Sequence, residues 1–117
     1  MGIQKWSSEI TVVELADSPQ FADDMSSLLE QLSGSAADVV LNFAGVSFVN
    51  SSDISSLLQL RKKMISLQRR LMICDVSSQV FGIFKVTGLD KMFEFTDDIA
   101  TALATVQIAN GPTEDAQ

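Results

Sequence analysis

The sequence predicts an α/β fold: one domain with a small, mostly parallel sheet of four to five strands and about four packed helices. Three observations lead there. Short apolar runs rich in β-branched residues alternate with longer stretches whose apolar residues recur at helical spacing. The chain has 117 residues, the size of a single domain. No internal repeat or linker interrupts the alternation, so residues 1–110 are expected to form the domain and residues 111–117 a flexible C-terminal tail.

"EITVVEL", Glu9 to Leu15, reads as the first strand. In "ADSPQFADDMSSLLEQLSG", Ser18 before Pro19 has the order of an N-cap and a first-turn proline, and Asp23 and Asp24 suit the positive end of a helix. Phe21, Met25, Leu28, Leu29 and Leu32 make its apolar face, and Gly34 its stop. "DVVLNFAG" is a short apolar run ending at Gly45 that reads as a buried strand, and the following "GVSFV" carries the chain to the polar cluster Asn50-Ser51-Ser52-Asp53. From Ser52 a second helix is expected, with Ile54, Leu57, Leu58, Met64 and Ile65 inward and Arg61, Lys62 and Lys63 outward. "RLMICDV" is a third strand. Ser77 or Ser78 then caps a helix with Val80, Phe81 and Phe84 inward, which ends at Gly88. "KMFEF" is a short strand, and Thr96 is the expected cap of a last helix carrying Ile99, Leu103 and Val106.

Composition removes several function classes. A hydrophobic fraction of 46% supports a core. No apolar run reaches the roughly 20 residues that cross a bilayer, and no signal peptide is visible, so a cytoplasmic domain without membrane insertion is expected. Fifteen acidic residues against eight basic ones give a net charge of −7, which disfavours nucleic acid. The basic group Arg61-Lys62-Lys63 with Arg69-Arg70 reads as a solvated face. The chain has no His, so it cannot by itself build an imidazole-based nucleophile or metal site, and no phosphate-binding glycine loop occurs. Neither an enzyme nor a cofactor is expected. The single cysteine, Cys74, lies in an apolar run and reads as a small buried hydrophobe.

The polar cluster is the richest of three strand-to-helix handovers, and such handovers collect function in α/β folds. Read structurally, Ser51 or Ser52 caps the helix and Asp53 complements its dipole. Read functionally, one of the hydroxyls is a modification site. A phosphate is best tolerated at a helix N-terminus, and its charge would disturb docking to an acidic or tightly fitted partner.

The segment from Asn42 to Leu103 resembles the STAS domain, the fold of the bacterial anti-sigma factor antagonists. "LNFAGVSFVNSSDISSLLQLRKKM", "RLMICDVSSQV" and "KVTGLDKMFEFTDDIATAL" follow that family's pattern in order, and "TGLDKMF" is the most diagnostic piece. Where the family has Asp-Ser-Ser-Gly, this chain has Asn50-Ser51-Ser52-Asp53. The resemblance implies a regulatory protein-binding module switched by serine phosphorylation, with a GHKL-type anti-sigma factor kinase as partner. It makes Ser52 the phosphoacceptor, Ser51 its alternative, and Asn50 and Asp53 the flanking residues. Asp17, Ser18, Ser55, Ser56 and Gln59 form the expected partner surface, on a monomer or weak dimer. The alternative is a STAS scaffold without phosphorylation, as a subunit of a signalling assembly or a lipid-transport ATPase complex.

Overall fold

Strand pairing sets the architecture. The computed structural model describes residues 2–110. Its elements are β1 (Ile3–Lys5), β2 (Ile10–Ala16), α1 (Gln20–Gly34), β3 (Asp38–Gly45), α2 (Ser51–Leu67), β4 (Leu71–Cys74), α3 (Ser78–Thr87), a 3-10 turn (Leu89–Lys91), β5 (Glu94–Thr96) and α4 (Ile99–Asn110). The five strands lie in the order β1-β2-β3-β4-β5; β1 runs antiparallel to β2, and the other neighbours are parallel. The predicted class is the observed one. The expected tail at 111–117 lies outside the described residues.

Alternation along the strands decides what covers each face, because successive side chains point to opposite sides. Val13, Leu15, Val39, Leu41, Phe43 and Ile73 join one core with the apolar faces of α1, α2 and α3. Ile10, Val12, Val40, Met72 and Cys74 face the other way and, among the described residues, pack against α4 through Ala102 and Val106 with Ile99 and Leu103 at the rim. Three helices therefore cover one side and one helix the other. Phe43 lies between two helices in the larger core, with its ring centroid 6.0 Å from those of both Phe21 of α1 and Phe84 of α3.

Several local expectations need correction. β1 is an edge strand that the sequence did not announce, since three residues without apolar alternation leave no periodic signal. Ser18 does not cap α1: Pro19 holds the N-cap position with no side-chain hydrogen bond, and the Ser18 hydroxyl turns elsewhere. Neither Ser51 nor Ser52 caps α2, because Asn50 does. On α2, Leu60 is buried while Ile65 is 59% exposed, so the inward stripe is Leu57, Leu60 and Met64. Thr96 belongs to β5, and Asp98 provides the first-turn acceptor of α4, its Oδ1 taking the Thr101 N–H at 2.8 Å. Ser77 caps α3 as expected, accepting from Val80 N at 3.2 Å, and Gly88 ends it in the left-handed region at φ 78°.

Candidate functional site

The site is built where β2 and β3 end side by side. Glu14 pairs with Asn42 but Ala16 pairs with Gly45, so β3 carries one extra residue in that interval. The Asn42 side chain covers this bulge by accepting the Ala44 N–H at 2.8 Å. Gly45 is needed there, because a Cβ would stand 2.9 Å from the Leu15 carbonyl oxygen. The bulge also changes the phase of burial. Phe43 is inward before it and Val46 after it, which leaves Ser47 and Phe48 outside between the buried Val46 and Val49.

Two loops are then tied together. Asp17, just after β2, accepts the Ser47 hydroxyl at 2.5 Å, the Ser47 N–H at 2.8 Å and the Phe48 N–H at 3.3 Å. The hydrogen bonds from Ser47, side chain first and then backbone, hold the Asp17 carboxyl below the usual carboxylate range, with a smaller contribution from the Phe48 amide. Ser18, in the same loop as Asp17, donates its hydroxyl to Asp53 Oδ1 at 2.7 Å, so that loop is also fastened to the first turn of α2.

The α2 N-terminus closes on itself. Asn50 Oδ1 accepts the Asp53 N–H at 2.7 Å and Asp53 Oδ2 accepts the Asn50 N–H at 3.1 Å, a reciprocal capping box. Asp53 is 2% exposed, and both its oxygens are occupied. Ser51 and Ser52, the first two helical residues, are exposed, and neither hydroxyl makes a hydrogen bond among the described residues. Their hydroxyls are thus left to solvent while their neighbours satisfy the helix end.

Of the other expected surface residues, Asp17 and Ser18 join this cluster and Ser55 is exposed on the next part of α2. Ser56 is half-buried. Gln59 is exposed but lines a groove with Leu29, Lys62 and Lys63 between α1 and α2. Ser47 and Phe48 were not singled out from the sequence. The signal that finds them is an aromatic residue between two buried valines, at a strand end that has lost its alternation. Phe48 is 56% exposed. Among the described residues there is no cluster of metal-ligating side chains, and no helix is long and apolar enough to cross a membrane.

Residues 9–102 match the family model described as STAS domain. Among solved structures, the chain is similar to an anti-sigma-factor antagonist (STAS) domain protein from Planctomyces limnophilus, at 21% identity and a TM-score of 0.77, covering 90% of this chain and 97% of that one. It is similar to the anti-sigma factor antagonist SpoIIAA in its unphosphorylated form, at 16% identity and a TM-score of 0.77, covering 95% and 97%. It is also similar to the Bacillus cell fate determinant SpoIIAA in the phosphorylated form, at 18% identity and a TM-score of 0.72, covering 89% and 96%. At these identities the likeness is one of fold.

Proposed function

The chain belongs to the STAS domain family, and from that premise we propose that it is a regulatory protein-binding module switched by phosphorylation of Ser52 by a partner kinase of the GHKL type. One observation carries this reading: the capping of α2 by Asn50 and Asp53, which leaves Ser52 exposed and uncommitted. A hydroxyl needed for folding makes a poor switch, since modifying it would cost the fold. This one can change without that penalty.

The chemistry is a phosphoryl transfer. Ser52 Oγ attacks the γ-phosphorus of ATP, the Oγ–P bond forms as the bond to ADP breaks, and the hydroxyl proton passes to a base on the kinase. The product phosphate stands at the amino end of a 17-residue helix, where free N–H groups and the helix dipole favour negative charge. Asp53 follows Ser52 directly, but its carboxylate is turned inward onto Ser18 and Asn50, so like-charge repulsion with the phosphate is reduced. What changes is the outer surface. A phosphoserine carries about −1.5 to −2 charges and bound water, and a partner fitted closely over this tip loses its contact.

The test is incubation of the intact protein with an anti-sigma kinase of the GHKL type and ATP, read by intact mass and peptide sequencing. One phosphate on Ser52 is expected in the wild type and none in Ser52→Ala. Equal binding of the native partner to wild type and to Ser52→Asp would refute the switch. A scaffold without phosphorylation is the second reading, and Asp53 favours it: the family's glycine is replaced here by a residue committed to the helix end. Under that reading, no kinase from the same cell labels the protein.

A further inference from the structure

The charges of this molecule are sorted by pole. α2 and α3 run opposite to the parallel strands they connect, so helix C-termini lie at the edge where β2 to β5 begin. Arg69 and Arg70 stand at that starting edge, paired with Glu9, Asp38 and Glu94. Lys62 and Lys63 lie towards the C-terminal end of α2, and Lys85 towards that of α3, with Lys91 in the turn beyond. Lys5 pairs with Thr11 near the start of β2, and Arg61 donates to the Met92 carbonyl before β5. These are all eight basic residues of the chain.

The opposite edge, where the strands end and Ser51 and Ser52 stand, therefore carries none of these Lys and Arg side chains. It carries Asp17 after β2, Asp75 after β4, and Asp97 and Asp98 after β5. Three of these are exposed and Asp75 is half-buried. Asp75 and Asp97 are held together by the hydrogen bond from Asp75 N to the Asp97 carbonyl at 3.3 Å. Beside this acidic rim stands Phe48, more than half exposed, with its backbone fixed by Asp17 so that the ring is presented from a braced loop. A braced exposed aromatic residue within a charged rim is the anatomy of an interface centre.

We infer that this edge docks a basic protein face, in which Phe48 enters an apolar pocket and the surrounding Arg or Lys residues oppose Asp17, Asp75 and Asp97. The inference rests on the docking role proposed above and adds the chemistry of the partner. It also constrains how the switch works. A phosphate on Ser52 has the sign that a basic face attracts, so it cannot act by long-range repulsion. It must act by spoiling the close fit, which speeds dissociation and leaves encounter as fast or faster.

The experiment places the photo-cross-linker p-benzoylphenylalanine at position 48 of the full chain in the cells that make it, with position 65 at the opposite pole as control. The captured protein is identified by mass spectrometry and purified, and its binding kinetics are measured at low and high salt. Expected are capture at position 48 and an association rate that falls with salt and is severalfold lower in Asp75→Asn/Asp97→Asn. Phe48→Ala should bind about tenfold or more weakly, with an unchanged circular dichroism spectrum. No capture at position 48 overturns the inference. So does an association rate that ignores salt, rises in the double variant, or falls in Ser52→Asp. A captured partner that lacks kinase activity and binds Ser52→Asp as it binds wild type refutes the switch while leaving the surface assignment standing.

Discussion

Asn50 and Asp53 do the work that leaves Ser51 and Ser52 free, and their energetic roles can be separated. Replacing Asn50 with Ala removes one cap acceptor and should cost about 1 kcal/mol. Asp53→Ala strips partners from both the Asn50 N–H and the Ser18 hydroxyl, and should cost about 1–3 kcal/mol. Ser52→Ala should stay within about 0.5 kcal/mol of wild type. Urea unfolding measures all three, and a large loss in Ser52→Ala would return that hydroxyl to a structural role. The cluster holds four residues of types that cap helices, and residue type alone does not choose among them. The deciding signal was a spacing: Asn50 and Asp53 are three residues apart, which lets each side chain reach the other's amide. Ser18 was misread for a different reason. Its acceptor, Asp53, is 35 residues away, and only the fold brings the two together.

At the level of elements, helices were readable and their exact faces were not. Leu57, Leu60 and Met64 define the buried line of α2, and Ile65 lies one residue, about 100°, beyond Met64. Leu60→Ala should therefore destabilise by about 2–5 kcal/mol. Ile65→Ala should change stability by less than about 0.5 kcal/mol, because its side chain has little contact to lose. The midpoint of thermal or urea unfolding distinguishes them. Apolar identity alone cannot separate such neighbours on a helix that carries Ile54, Leu58 and Ile65 along its flank. Strand ends were blurred for a related cause. The bulge after Asn42 shifts the alternation by one residue, and that shift puts Ser47 and Phe48 on the surface. β1 is held to the sheet by pairing with Val13, Val12 and Thr11 rather than by any pattern of its own.

For the molecule as a whole, alternating strands and helices announced the α/β class, but which helix covers which face emerged only with the packing. Cys74 lies on the thinly covered side, fully buried under α4. Burial first, and then the neighbouring Asp75 and Asp98 carboxylates, push its thiol up to about 12. Near neutral pH the native protein then holds almost no thiolate, and the sulfur is shielded as well. Labelling by iodoacetamide should be negligible in the native state and should follow the urea unfolding transition. Fast labelling of the native protein would mean that α4 detaches on its own. The single-helix covering has a further consequence during synthesis. While the chain grows from the ribosome, Ile10, Val12, Val40 and Met72 can assemble into a sheet whose back stays bare until residues 99–110 emerge. A translational stall before that point would strand a sticky, half-clothed intermediate, a natural client for a nascent-chain chaperone.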